Sequence, residues 1–291
     1  MSADHALELH GVRKTYRGFR LDDVAFSLPR GYIGGLIGPN GSGKTTIIKL
    51  IMNLVRREAG EIRVFGLDNR RDEVAVRSRI GFVYDVPGFW DDQTLAAHRR
   101  ALGAFYPRWS DATFNRLAGE FDLPLDKKFK TLSAGMKMKF ALAMALSHEA
   151  DLLILDEPTA GLDPVFRREL LQRLSAVLQD EGKSILFSTH ITSDLERVAD
   201  FITFVRSGRI VFSLPRHDLF DRWAVVKGDA AVLARLDPAT IRGSRRRSLG
   251  AEVLVSDAAS ARRAVGSSAV IERPRLDEVM VLMEGEAAHA A

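Results

Sequence analysis

The feature that most constrains the fold is a glycine-rich turn between a short apolar run and a helical pattern. YIGGLIG (32–38) is a continuous apolar run, GPNGSGKT (38–45) matches the phosphate-loop pattern G-x-x-x-x-G-K-[ST], and apolar residues then recur at helical spacing as far as Leu54. Chance produces such a string on the order of 1% of the time at average composition in a chain of this length. The sequence therefore predicts a P-loop, a glycine-rich loop that holds the phosphates of a nucleotide.

Each residue type in this loop has a chemical role. Glycines allow backbone N–H groups to turn inward around phosphate oxygens, the Lys44 ammonium reaches the β and γ phosphates, and the Thr45 hydroxyl is a ligand for Mg²⁺. The predicted nucleotide-binding residues of the loop are Gly38, Pro39, Asn40, Gly41, Ser42, Gly43, Lys44, Thr45 and Thr46.

Two more apolar runs end in residues of catalytic type. DLLILDEP (151–158) and KSILFSTH (183–190) are typical of strands buried on both faces, and a helical pattern from about 164 to 180 separates them. Strands of this kind that alternate with helices indicate a mostly parallel sheet covered by helices. The sequence therefore predicts an α/β fold that binds its ligand at the carboxyl ends of these strands.

Asp156, Glu157 and His190 stand at those carboxyl ends. In the same sheet as a phosphate loop, Asp156 is predicted to support Mg²⁺ and Glu157 to polarise the attacking water. His190 would reach a γ phosphate from the neighbouring strand. Adjacent acids at a strand end are more often merely solvated, and a lone histidine is more often structural, so both assignments depend on the shared sheet edge.

The rest of the sequence indicates smaller parts around this sheet. Short alternating patterns at 6–28 suggest antiparallel half-buried strands, and charged helical patterns from 91 to about 130 indicate a helical subdomain. FITFVRSGRIVFS (201–213) predicts a hairpin that turns at Ser207 and Gly208. Beyond Trp223, short mixed patterns suggest a small α/β appendage.

Composition and charge exclude several classes of protein. The net charge of +4 is a mild excess, and the densest basic cluster, RGSRRR (242–247), is expected to be a solvated loop, with contact to anionic lipid or an acidic partner as the weaker alternative. The absence of cysteine excludes disulfides and fits a reducing compartment. MSADHALELH is not expected to be a secretory signal, and no apolar stretch approaches the roughly 18 residues of a membrane-spanning helix.

Five motifs together resemble those of the nucleotide-binding subunits of ABC transporters. In chain order they are GPNGSGKT, LSAGM (132–136), LLILDEP, AGLD (160–163) and the strand-end His190. The resemblance covers about residues 5–215, and it implies an ABC-type P-loop NTPase fold with a helical subdomain at about 90–147. It also implies ATP as the nucleotide, Mg²⁺ as its metal, and ATP-driven dimerisation with a second ATPase subunit, either an identical copy or a different chain.

The resemblance assigns further residues. Tyr16 in KTYRGF stands where the family stacks an aromatic ring on adenine, although an ordinary strand aromatic is the alternative. Ser133 and Gly135 would leave backbone N–H groups bare at a helix start, which suits an anion. Because residues 38–45 already hold the chain's own phosphates, these groups are predicted to face ATP on the second subunit. Asp163 would lie at the dimer interface.

A narrower resemblance concerns the direction of transport. The segments GFVYD (81–85), LSAGMKMK (132–139) and RPRLDEVM (273–280) resemble parts of the single-domain ATPase subunits of bacterial export-type systems. This implies a cytoplasmic protein, peripheral on the inner face of the cell membrane, whose membrane-spanning partner is a separate polypeptide. Residues 224–291 would then form an accessory domain.

Two sites depart from the family's usual motifs. The signature usually reads LSGGQ, whereas Ala134 replaces a glycine and Met136 replaces the glutamine, so the approach of a phosphate should survive but a polar contact is lost. Asp85 stands where the family has a glutamine that touches the metal and couples ATP to the membrane partner. A carboxylate is a good Mg²⁺ ligand but is shorter and charged, and we expect Asp85 to reach the metal, directly or through water.

A soluble mechanical or regulatory ABC-type ATPase that acts on nucleic acid or ribosomes is the alternative function. Relatives of that type generally carry two nucleotide domains or long coiled-coil insertions, and this sequence shows neither, nor a basic stripe. A P-loop kinase is a third possible function, but a protein of that class would have no use for the LSAGM and AGLD motifs. The sequence thus favours a transport ATPase without a nucleic-acid partner, in which Glu157 is the base while Lys44 and His190 stabilise charge during in-line water attack.

Overall fold

A computed structural model describes residues 4–85, 87–178, 182–248 and 250–284, and divides the chain into two compact units, Met1–Ser213 and Leu214–Ala291. The strands that begin in the first unit are β1 (His5–Tyr16), β2 (Phe19–Pro29), β3 (Ile33–Ile37), β4 (Ala59–Val64), β5 (Leu67–Asp68), β6 (Ile80–Val83), β7 (Leu152–Asp156), β8 (Ser184–Thr189), β9 (Phe201–Arg206) and β10 (Arg209–Pro215). Its helices are α1 (Lys44–Ile51), α2 (Glu73–Ser78), α3 (Leu95–Gly103), α4 (Asp111–Glu120), α5 (Ala134–Leu146), α6 (Pro164–Val177) and α7 (Thr192–Val198).

A six-stranded sheet carries the predicted phosphate loop. Its order is β10-β9-β3-β8-β7-β6, and the five strands other than β10 are parallel. β3, β7 and β8 are buried along their whole length, as continuous apolar runs predict, so the predicted parallel sheet is confirmed. The hairpin from β9 to β10 is also confirmed, because Ser207 and Gly208 have φ of +47° and +77°, values that suit a two-residue turn.

The predicted antiparallel part is a second sheet, in the order β2-β1-β4-β5. Helix α1 lies in the same hydrophobic core as both sheets, since Ile47 and Ile48 share one buried cluster with Leu9 of β1 and Leu36 of β3. Burying a side chain of this size stabilises a fold by roughly 1.5–3 kcal/mol. The helix that follows the phosphate loop is therefore fixed by apolar contacts on two sides.

The carboxyl end of α1 is fixed by a polar contact as well. The buried Asn69 amide donates through Nδ2 to the carbonyl oxygens of Leu50 at 2.7 Å and Ile51 at 2.9 Å. These are among the last carbonyls of the helix, which have no partner within it. Asn69 thus links the antiparallel part to the helix that carries Lys44.

Helices α3, α4 and α5 lie between β6 and β7 in the chain and form the predicted helical part. Thr94 and Ser110 begin α3 and α4, because each hydroxyl accepts a backbone N–H at 3.1 Å from the residue three positions on. The predicted helix at about 164–180 begins as expected but ends earlier, at Val177. Its predicted residues 179 and 180 lie outside the described residues.

The second unit is the predicted small α/β appendage. Its elements are α8 (Arg216–Arg222), β11 (Ala224–Gly228), α9 (Ala230–Leu233), β12 (Ile241–Arg246), β13 (Ala251–Val255), α10 (Ala258–Val265), β14 (Val270–Glu272) and α11 (Leu276–Glu284). The antiparallel order β12-β13-β11-β14 combined with the element order β-α-β-β-α-β from β11 to β14 is that of a split β-α-β fold. Helix α11 lies against β12, where the Leu282 carbonyl would meet a Cβ on Gly243 at 2.3 Å.

The expectation of a solvated loop at residues 242–247 is wrong. Residues 241–246 form the edge strand β12, which pairs with β13. Arg245 and Arg247 hold the largely buried Glu252 carboxylate at 2.7 Å and 3.0 Å, so cross-strand ion pairs use much of the positive charge. Charged side chains are common on edge strands, where they discourage pairing with other chains.

Candidate functional site

Three glycines give the phosphate loop its shape. Gly38, Gly41 and Gly43 have φ of +155°, +78° and +114°, a region that other residues rarely adopt. A Cβ on Gly38 would lie 2.2 Å from the Val205 carbonyl oxygen, and one on Gly43 would lie 2.7 Å from Leu21 Cδ2. Only glycine fits at these two positions, because the loop packs directly on neighbouring strands.

Lys44 is the first residue of α1 and points back into this loop. Its Nζ donates to the carbonyl oxygens of Gly38 at 2.8 Å and Pro39 at 3.3 Å, and it lies 3.7 Å from Glu157 Oε1. Burial lowers the pKa of Lys44, while the charges of Glu157 and Asp156 oppose that shift. The loop thus holds a desolvated cation where it can exchange carbonyl oxygens for the oxygens of a phosphate.

Asp156 ends β7 and is almost fully buried. Ser188, its register partner on β8, donates through Oγ to Asp156 Oδ1 at 2.5 Å. Burial raises the pKa of Asp156, and the nearby carboxylates of Asp85 and Glu157 act in the same direction. A cation bound at this position would stabilise the ionised Asp156 carboxylate, and would thus oppose the rise in pKa caused by burial and by the neighbouring carboxylates.

Glu157 and His190 form a second pair at the same edge. His190 Nδ1 lies 2.7 Å from Glu157 Oε2, and the His190 backbone N–H donates to the same oxygen at 3.2 Å. The Glu157 side chain is 15% exposed and that of His190 is 50% exposed, so this carboxylate is shielded but reachable. The backbone of Glu157 has φ of +49°, a strained conformation that costs roughly 1–3 kcal/mol and is typical of functional sites.

These groups surround one cavity of about 760 Å³, within the range of small-molecule sites. The cavity is lined by Phe19, Asn40, Gly41, Ser42, Gly43, Lys44, Thr45, Thr46, Asp85, Glu157, Ala160, Gly161 and His190. The structure therefore brings the predicted phosphate loop, the predicted base and the predicted histidine together around a single space.

The predicted metal ligands also meet here. Asp85 and Thr45 line the cavity, and the charge of Asp85 raises the pKa of the neighbouring Asp156. Within the described part of the chain, no three His, Asp or Glu side chains are grouped as a metal site that protein alone completes. Mg²⁺ at nucleotide sites usually takes one or two carboxylates together with phosphate oxygens. One hydroxyl and two carboxylates fit that pattern.

The aromatic ring at the cavity is Phe19, which sequence reasoning missed. Tyr16 and Phe19 are register partners across the β1–β2 turn, yet only Phe19 lines the cavity. Tyr16 is 41% exposed, and the centre of its ring lies 5.5 Å from Lys14 Nζ. A contact between Tyr16 and adenine stays a prediction. The sequence does contain a signal for Phe19. Two aromatic residues flank Arg17-Gly18, and a tight turn there places both of them at the same end of the sheet.

The LSAGM segment forms a bare helix start outside this cavity. Ser133 caps α5, since its Oγ accepts the Met136 N–H at 3.3 Å. Ser133 and Ala134 are exposed, and a Cβ on Gly135 would meet no atom within 4 Å. Neither Ser133 nor Gly135 lines the cavity around the phosphate loop. The start of α5 therefore lies at the surface, with room beside it.

Asp163 has a visible structural role as the N-cap of α6. Its Oδ1 accepts the backbone N–H groups of Val165 and Phe166, both at 3.0 Å. Val165, next to it, is 79% exposed, which is high for an apolar side chain. The role of Asp163 at a dimer interface stays a prediction.

None of the helices within the described ranges combines the length and the apolar character that crossing a bilayer requires.

The family model and the relatives that match this chain agree with one another in kind. The family model described as "ABC transporter" matches residues 21–160. An uncharacterized ABC transporter ATP-binding protein of Bacillus subtilis, YcbN, is 31% identical, with 74% of this chain and 71% of the relative covered. The bacitracin transport ATP-binding protein BcrA of Enterococcus faecalis is 30% identical (76% and 73% covered), and Nod factor export ATP-binding protein I of Ralstonia nicotianae is 31% identical (73% and 68%).

Two solved structures show the same fold. The ATP-binding subunit of an ABC transporter is 31% identical and superposes with a TM-score of 0.68, covering 74% of this chain and 92% of that one. The ATP-binding cassette MJ0796, solved as a dimer in a post-hydrolysis state with ADP and Pi, is 22% identical, with a TM-score of 0.64 and coverage of 72% and 98%.

Proposed function

Because this chain belongs to the ABC transporter family and is an ATP-hydrolysing subunit of that family, we propose that it binds Mg²⁺-ATP in the cavity described above and powers an export-type transporter. One observation supports this most directly. The phosphate loop, Lys44, Glu157 and His190 line one space, with the buried Asp156 beside them.

The site residues divide the reaction among them. Backbone N–H groups of the loop and the Lys44 ammonium bind the β and γ phosphates, and Glu157 accepts the proton of the attacking water. The hydrogen bond from His190 orients the Glu157 carboxylate, and the exposed part of the imidazole is free to approach the γ phosphate. Thr45, Asp156 and Asp85 would hold Mg²⁺, which neutralises charge on the phosphate oxygens when bound.

The second half of the site comes from another subunit in this proposal. Ser133 and Gly135 lie at the exposed start of α5, and residues 38–45 would already hold the chain's own phosphates. A second ATPase subunit would bring its ATP to this helix start, with Asp163 near the contact. The dimeric structure of the ATP-binding cassette MJ0796 supports a two-subunit arrangement.

The names of the relatives support the proposed partner. BcrA is named for bacitracin transport, and the relative from Ralstonia nicotianae is named for Nod factor export. An export-type system with a separate membrane-spanning polypeptide is therefore the proposed partner. The chain would be bound to that partner at the cytoplasmic face of the membrane.

Two measurements test this function together. We expect the tagged chain to co-purify with a membrane protein of several spans, and we expect ATP turnover per chain to fall when the isolated protein is diluted. Dilution at fixed ATP, Mg²⁺ and salt, with an inert carrier protein, controls for surface losses. A turnover per chain that stays constant on dilution contradicts the two-subunit site, and stimulation by nucleic acid without a membrane partner supports the alternative class.

Replacing Asp85 by Ala should raise the Mg²⁺ concentration for half-maximal turnover about tenfold, which corresponds to about 1.4 kcal/mol, the loss of one charged ligand contact. Magnesium titrations of ATP binding and of turnover measure this shift. Asp85→Gln restores the family's usual residue and should recover most of it. Asp126→Ala is the matched control, because Asp126 is exposed and does not line the cavity. An unchanged titration for Asp85→Ala removes Asp85 from the metal site.

A further inference from the structure

Ser188 is a buried polar residue near the carboxyl end of strand β8. It follows the apolar run Ile185, Leu186 and Phe187, and none of these four residues is more than 1% exposed. Burying a hydroxyl group costs free energy unless the group is hydrogen-bonded. The Ser188 hydroxyl therefore depends on its partners, and both of them belong to the proposed site.

The Ser188 hydroxyl connects Asp156 to Glu157. It donates to Asp156 Oδ1 at 2.5 Å and accepts the Glu157 backbone N–H at 3.2 Å. The same N–H also donates to the Ser188 carbonyl oxygen at 3.0 Å. A hydroxyl has one hydrogen and two lone pairs, so it can make both bonds at once. One side chain thus contacts the carboxylate proposed for the metal and the backbone of the proposed base.

The bond from Ser188 restricts the direction of the Asp156 carboxylate. Mg²⁺ requires near-ideal octahedral geometry, so a carboxylate that turned freely would hold it less tightly. The Glu157 backbone, with φ of +49°, is strained, and such a conformation persists only where surrounding contacts hold it. Ser188 does not itself line the nucleotide cavity, so it acts through these two partners.

The same strand contains a matched serine away from the site. Ser184 begins β8, is also fully buried, and accepts the Gly31 N–H through Oγ at 3.0 Å. Four residues apart in a strand, the two serines lie on the same face of the sheet, about 13 Å from each other. The register partner of Ser184 is Leu152, at the other end of β7 from Asp156. The two serines share strand, face and burial, but only Ser188 contacts the proposed site.

We propose that Ser188 is a positioning residue, whose hydroxyl holds the Asp156 carboxylate in the direction that Mg²⁺-ATP needs and anchors the strained backbone of Glu157. The inference rests on the Mg²⁺-ATP site proposed above, and it adds to that site a residue that acts through two others. An alanine would fill the same place in an apolar strand without a buried polar group, so the packing of β8 alone does not require a hydroxyl here.

The test compares nucleotide binding with and without the metal. A non-hydrolysable ATP analogue is titrated by calorimetry into the full chain, in Mg²⁺ and in EDTA, and the ratio of the two affinities measures how much the protein contributes to holding the metal. The variants are Ser188→Ala, Ser188→Thr, which keeps a hydroxyl, and Ser188→Val, which has nearly the shape of threonine without one. Ser184→Ala is the matched control, and thermal unfolding confirms that each variant is folded.

We expect the gain in affinity from Mg²⁺ to be about tenfold smaller in Ser188→Ala, which corresponds to about 1.4 kcal/mol, the contribution of one hydrogen bond. Affinity in EDTA should stay at the wild-type value, because the phosphate loop is unchanged. Ser188→Thr should keep the gain, Ser188→Val should lose as much as Ser188→Ala, and Ser184→Ala should keep the wild-type ratio.

Other results overturn the proposal in distinguishable ways. A loss of affinity that is equal in Mg²⁺ and in EDTA would make Ser188 a structural residue only, and a wild-type ratio in Ser188→Ala would remove it from the metal site. Equal losses in Ser188→Thr and Ser188→Val would assign the effect to packing instead of the hydroxyl. If the wild-type chain binds the analogue but gains nothing from Mg²⁺, the proposed metal site fails, and the role of Ser188 fails with it.

Discussion

Glu157→Gln is expected to lower ATP turnover by about 10²- to 10⁴-fold, the usual contribution of a general base, while ATP binding is retained. Glutamine keeps the size of the side chain, and its amide can still face His190, whose Nδ1 lies 2.7 Å from the carboxylate. What it loses is the ability to accept a proton from water. Phosphate release measures turnover, and a labelled nucleotide measures binding in the same preparation.

Glu149→Gln is the matched control for this experiment. Glu149 is exposed, does not line the nucleotide cavity, and also has a positive φ, +51°, so the control repeats both the chemistry and the backbone strain. It should keep wild-type turnover. A Glu157→Gln variant that hydrolyses ATP at the wild-type rate would take Glu157 out of the role of base and leave the attacking water to another group.

Gly38→Ala is expected to weaken ATP binding about a hundredfold, which corresponds to about 3 kcal/mol, the upper end of the usual cost of overpacking. The new Cβ would lie 2.2 Å from the Val205 carbonyl oxygen and 2.7 Å from Ser42 Oγ. The Val205 carbonyl belongs to strand β9 of the parallel sheet and cannot move aside cheaply. The phosphate loop must therefore shift, and its N–H groups lose their alignment on the phosphates.

Gly41→Ala separates this clash from backbone strain. Gly41 also has a positive φ, +78°, but a Cβ there would meet no atom within 4 Å. The expected cost is only the strain, roughly 1–2 kcal/mol. Isothermal titration with ATP compares the two variants, and thermal unfolding confirms that both are folded. Equal losses of affinity in the two variants would mean that strain, rather than the contact with Val205, controls the loop.

The sequence was sufficient to predict those parts of the fold whose pattern lies within one continuous segment. The phosphate loop is contiguous, and the apolar runs that lead to Asp156 and His190 are strands covered on both faces, as short continuous apolar runs alternating with helices predict. Parallel strands place their carboxyl ends on one edge, so the meeting of Lys44, Glu157 and His190 follows from topology.

The residues that sequence reasoning missed depend on how segments are aligned. Ser188 meets Asp156 because β7 and β8 pair in one particular register, which neither strand specifies by itself. Phe19, rather than Tyr16, lines the cavity because of the local geometry of a turn. The arginines of β12 were predicted to be in a loop because glycine and serine flank them, whereas the strand depends on pairing with β13, which contains their partner Glu252.

The strained backbone of Glu157 has a consequence for how this protein can change. Asparagine and glycine adopt a φ near +49° more easily than glutamate, so either would relax the chain at this point, yet neither carries a carboxylate. Selection for thermal stability alone would thus favour substitutions that remove the proposed base. Stability and turnover are opposed at this single residue, and a library screened only for folding should lose activity here first.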